Sequence, residues 1–217
     1  MAEKFYFCSI VLTVICIVVY ILELLSPAFM LNNFALVPSQ VITKPWTMIT
    51  HIFLHSTRGL QHIFYNMFAL VLFGSILEKI IGSRKFLSVF FVSGVASAFG
   101  GILFYDATIG ASGAIFGVLG TLGILRPKML VWVLGVPVPL IIALGMWAFL
   151  DLIGFFAPDN VAHAAHLFGM MAGIACGLRL RNKHKEKTKL KEIVVDEGEI
   201  DKWEENSIKG LNRDIIY

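Results

Sequence analysis

Long apolar runs separated by short polar connectors dominate this chain. Six of them, roughly 14–21 residues each, read as membrane helices. They lie at approximately Phe5–Leu25, Gln61–Leu77, Phe86–Phe104, Ser112–Leu125, Pro139–Phe156 and Val161–Leu178. The pattern predicts an all-α membrane protein, a six-transmembrane-helix bundle with a short central fourth helix. Residues 1–180 form the membrane domain, and 181–217 a charged cytoplasmic tail rich in lysine and glutamate. Between spans four and five, Met129–Pro137 is also apolar, but Pro137 and Pro139 each remove a backbone donor and argue against one unbroken helix. That stretch is expected to lie at the interface. The first run is too long for a signal-peptide core and reads as a first span.

Composition narrows the class. Hydrophobic residues make up 57% and charged residues 15%, with a mean hydropathy of +0.78, too apolar for a soluble domain. A net charge of +3, with basic residues placed between spans, gives no nucleic-acid patch. Cys8, Cys16 and Cys176 all sit inside apolar runs, so neither a disulfide framework nor a metal site is expected. Lys79, Arg84 and Lys85 follow span two, Arg126 and Lys128 follow span four, and a basic series begins at Arg179. The connectors 105–111 and 157–160 carry no lysine or arginine. The positive-inside rule therefore predicts a multi-pass protein of the cell membrane with both termini cytoplasmic and the Gly110 loop outside.

Depth then groups three polar side chains. Ser112 precedes Arg126 by 14 residues, His166 precedes Arg179 by 13, and Asn66 precedes Lys79 by 13. At about 1.5 Å per residue all three lie some 20 Å above the inner interface, hence about 10 Å below the outer surface. A fourth span of some 14 residues cannot cross a bilayer alone. Its start must lie within the membrane, where irregular backbone is tolerated only beside protein or water. Ser112 would open that helix, where free N–H groups and the positive dipole end favour an oxyanion.

The run Gly110-Ala111-Ser112-Gly113, the pattern His62-Ile63-Phe64-Tyr65-Asn66, and Ala165-His166-Leu167-Phe168-Gly169 with Gly173 together resemble the rhomboid intramembrane serine proteases. So does Glu78-Lys79-Ile80-Ile81-Gly82-Ser83, and the likeness covers roughly Pro45 to Leu178. The resemblance implies Ser112 as nucleophile and His166 as base, a Ser–His dyad without cofactor or metal. It implies an oxyanion site from His62, Asn66 and the backbone of Gly110 and Ser112, with Phe116 packed on the base. It further implies single-span membrane proteins as substrates, cut near the outer face, and no nucleic-acid partner.

Plainer readings exist for each residue. Ser112 alone would pass for a helix cap, and His166 for a polar bridge between helices. His163 competes as base, but Gly169 and Gly173 follow His166 at the family's spacing. Asp151 reads better as a helix-end or packing residue than as a third catalytic member. Glu78 reads as a tie for the connector after span two, and His51 and His55 as ordering the first loop. A zinc protease would need HExxH, and Ile52 stands where its glutamate belongs. Asp106 lacks the GxGD partner of an aspartyl protease, and no repeat suggests a transporter. The alternative is a rhomboid-like protein that binds transmembrane clients without cutting them; it is weakened by the retention of both Ser112 and His166.

Overall fold

The computed structural model describes residues 7–157, 159 and 161–182. Residues 1–178 form one compact unit and 179–217 a second. Of the second, only 179–182 are described, and they are helical. The expected charged tail therefore lies almost wholly outside the described residues.

The described chain is mostly helical. Helix α1 (Cys8–Leu25) leads into the short α2 (Pro27–Phe34), which has a proline in its first turn. A first loop follows, with one short helix α3 (Thr47–Thr50). Helix α4 runs Gln61–Ile81, with a π-helical stretch at Leu70–Gly74. Then come α5 (Ser83–Phe104), α6 (Ser112–Leu125), α7 (Leu140–Gly154) and a helix over 163–178, here α8. Helices α1, α4 and α5 are long and apolar enough to cross a membrane, while α6 and α7 are shorter apolar helices.

Burial in α1 is the reverse of a soluble helix. Its inward stripe is Ser9, Leu12, Thr13, Cys16, Tyr20 and Glu23, while Val11, Val14, Val18 and Ile21 are about half exposed. Polar groups turned inward and valines outward make sense only where hydrocarbon is the solvent.

Between α6 and α7 the structure departs from the expected all-α pattern. Strands β1 (Leu130–Val133) and β2 (Val136–Pro139) pair antiparallel, with Trp132 opposite Pro137. Leu134 and Gly135 both have positive φ, 50° and 81°, as a type I′ hairpin turn requires. The prolines exclude a helix, as expected, yet fit a two-stranded ribbon in which both strands are edges.

Helix α6 is buried at nearly every position from Gly113 to Gly123. Its glycines let the serine side chains of α5 and the backbone of α8 close in: a Cβ added at Gly113 would collide with the Ser97 side chain, and one at Gly120 would lie 2.7 Å from the Met170 carbonyl. Small residues at such crossings replace the hydrophobic drive that lipid does not supply. The loop before α6 is stitched to the first loop. Leu36 and Thr108 exchange two backbone hydrogen bonds, and the Gly110 N–H donates to the His51 carbonyl at 2.8 Å. That loop is thus held where it delivers Ser112.

Candidate active site

Ser112 is the first residue of α6, and no side chain caps that helix start. The first N–H groups of α6 are left for another acceptor. Gly110, two residues earlier, has φ +124°, a conformation side chains rarely adopt. A Cβ there would sit 2.8 Å from His62 Nε2 and 3.7 Å from Ser112 Oγ. The glycine keeps open the space between the hydroxyl and that imidazole.

From α8, His166 brings Nε2 to 2.8 Å from Ser112 Oγ. Its other ring nitrogen, Nδ1, lies 3.0 Å from Asp151 Oδ1 on α7. A carboxylate on Nδ1 fixes the proton there and leaves the Nε2 lone pair toward the hydroxyl. Phe116, one turn after Ser112, stacks on the imidazole with centroids 4.6 Å apart and planes within 4°. The ring is gripped by a face, an acid and a hydroxyl.

The placement of Asp151 corrects the sequence reading. It is buried near the end of α7, as expected, but at 5% exposure it also touches His166 directly, a contact the helix-end or packing reading does not give it. The signal was available. Asp151 lies one turn before the end of α7, and His166 one turn after the start of α8, with a short connector between. His163 turns away from the serine. Its Nδ1 is 2.6 Å from Asp151 Oδ1 and its Nε2 3.0 Å from Asp159 Oδ2.

On α4, the Ser56 N–H donates to His62 Nδ1 at 3.2 Å, which puts the ring proton on Nε2, facing Gly110. Asn66 donates one amide hydrogen to the His62 carbonyl at 2.7 Å, and its Oδ1 is buried without a partner. Ser112, His166, His62 and Asn66 all line one cavity of about 650 Å³. Sequence reasoning missed Glu23, which lines the same cavity and accepts the His55 N–H at 2.9 Å. A lone acid near the end of an apolar run was the available sign. In the first loop, burial pushes the His51 and His55 imidazoles down to about 4, so both are neutral.

Glu78 is distant from this chemistry. Its carboxylate accepts the Cys8 and Ser9 N–H groups at 2.8 and 2.9 Å, as well as the Ser9 and Ser83 hydroxyls. It caps the start of α1 and ties it to α4 and α5, a tighter knot than the connector tie expected.

Comparison with known proteins identifies the family. The family model described as Rhomboid domain matches residues 43–183. The chain is similar to the rhomboid protease GluP of Bacillus subtilis strain 168, at 32% identity over 133 residues, 59% of this chain and 24% of that protein. It is also similar to the rhomboid proteases GlpG of Yersinia pseudotuberculosis strain IP32953 and Yersinia pestis strain Pestoides F. Each is 28% identical over 167 residues, 74% of this chain and 58% of the relative. The chain thus spans about a quarter to somewhat over half of these relatives. Because the family model covers well over half of the 217 residues, this chain belongs to the rhomboid family.

Proposed function

We propose that this protein is an intramembrane serine endopeptidase that cuts membrane-spanning proteins near the outer face of the membrane. His166 Nε2 takes the Ser112 proton as Oγ attacks a peptide carbonyl, then returns it to the leaving amine. Water enters through the cavity and hydrolyses the acyl-enzyme, with the same nitrogen as base. Asp151 holds the imidazole in the required tautomer and faces the charge it gains. His62 Nε2–H, the second amide hydrogen of Asn66 and the backbone N–H of Ser112 receive the oxyanion. Removing one such donor costs about 10²–10³ in rate. No step calls for a metal or cofactor.

Six spans with both termini cytoplasmic would put the cavity mouth at the outer leaflet. Substrates are single-span proteins with small, helix-weakening residues at the cleaved bond, because a helix must unwind before its carbonyl can reach Ser112. The observation that carries this reading is the 2.8 Å approach of Ser112 Oγ to a His166 ring whose opposite nitrogen faces a buried carboxylate. The test is detergent-solubilised protein with a fluorophosphonate probe and a model transmembrane substrate. Labelling and cleavage lost together in Ser112→Ala and His166→Ala support it. Robust cleavage by Ser112→Ala, or no cleavage by the unmodified protein, rejects it.

A further inference from the structure

The reversal from α7 to α8 carries more titratable groups than hydrolysis uses. Orienting His166 needs one carboxylate, yet His163 crowds the same Asp151 oxygen at 2.6 Å and has a carboxylate of its own, Asp159, behind it. A helix-to-helix clasp would be complete with one imidazole. The second histidine and the outer acid are surplus to it.

We propose that Asp151, His163 and His166 form a binding site for a divalent transition-metal ion of the zinc class, and that its occupation inhibits the enzyme by capturing the base. This rests on the serine-protease reading above. One ligand atom from each residue lies within 4.8 Å of the others. Tetrahedral zinc ligands sit about 3.3 Å apart, so small rotations close the set. Two imidazoles and one carboxylate with a fourth corner for water suit zinc's ligand preferences. Asp151 is buried, and its Oδ2 has no partner. The Asp159 carboxylate on His163 Nε2 supplies the outer support that metal-bound histidines commonly have. Gly154 makes the seat: a Cβ there would run into the His163 ring, 2.8 Å from Nδ1 and closer still to Cε1 and Nε2.

Inhibition follows from proton positions. In the free protein the His166 proton sits on Nδ1, and the Nε2 lone pair faces the serine. A metal ion on Nδ1 needs that lone pair, so the proton moves to Nε2, and nothing is oxidised or reduced. Nε2–H then donates to Ser112 Oγ and cannot take its proton. His163 keeps its Nε2 proton on Asp159 and offers Nδ1; any proton held at that Nδ1 leaves to water.

Cobalt(II), titrated into full-length Ser112→Ala protein in detergent, reads binding without turnover through its tetrahedral visible absorption. The expected result is one ion per chain, displaced by zinc. Affinity should fall tenfold or more in His163→Gln and about 10–100-fold in Asp159→Asn, an exposed position that spares the fold. In the unsubstituted protein, zinc should block fluorophosphonate labelling over its binding range, with a chelator restoring it. His163→Gln should need at least tenfold more zinc. Absence of a stoichiometric cobalt signal, or a signal unmoved by both substitutions, overturns the site. If metal-free protein never labels, the protease reading falls and takes the inhibitory role with it, while cobalt still decides the site.

Discussion

Substituting Gly169 by alanine tests whether the α6–α8 crossing sets the reactive geometry. The new Cβ would lie 2.7 Å from the Gly113 carbonyl carbon and 3.2 Å from its Cα, and closer still to its oxygen. Carbon atoms rest about 3.5–4.0 Å apart, and backbone cannot rotate aside, so α8 must withdraw by about 1 Å. His166 lies one turn before Gly169, and Ser112 is the neighbour of Gly113, so the displacement falls on that pair. Their separation of 2.8 Å would grow to about 3.8 Å, past hydrogen bonding. A misplacement of that size is worth about 10²-fold in rate. The assay is the second-order rate of fluorophosphonate labelling, with a thermal melt in detergent to verify folding. Gly145→Ala on α7 is the control, because a Cβ there meets nothing within 4 Å. Labelling of folded Gly169→Ala within threefold of the parent would refute the reasoning.

Three further perturbations separate chemistry from support. His62→Ala should lower kcat for a model substrate by about 10²–10³ with little change in KM; an equal rise in KM would assign His62 to binding instead. Glu78→Gln turns an amide toward the N–H groups of Cys8 and Ser9, and should destabilise the fold by about 1–3 kcal/mol. Labelling of Ser112 at low temperature should survive it, and loss of labelling without a lower melting point contradicts the structural role. His51 and His55 titrate near 4 when folded, against about 6.5 unfolded, so the unfolded chain takes up more protons between those values. Their contribution is full above about pH 6.5 and fades toward pH 4, by on the order of a few kcal/mol together. Melting points flat across that window would count against it.

Hydropathy located the helices well because hydrocarbon leaves the backbone few options. The fourth run, Ser112–Leu125, is reproduced to the residue. Ends drifted where polar residues cap or extend a helix beyond its apolar part, as at Ser83 and Ile81. The hairpin at Leu130–Pro139 escaped because a four-residue strand has no period of its own, and only the pairing of Trp132 with Pro137 reveals it. Ser112, His166, His62 and Asn66 were legible as polar groups at one depth or in a motif. Asp151 was not, since its partner lies 15 residues away across a helix reversal. Counting inward from both ends of that reversal would have put acid and imidazole at one level.

The π-helical stretch at Leu70–Gly74 changes the phase of α4. An uninterrupted α-helix would set Asn66 and Glu78 about 120° apart around the axis; one residue absorbed by a wider turn cuts this to about 20°. Both side chains are in fact buried. A single rod can therefore serve a reactive chamber near one end and an anchoring knot near the other without turning either toward lipid. Deleting one residue from that stretch would restore an even screw and leave the pair 11 residues apart, still about 20° from one another, so both would stay turned into the protein.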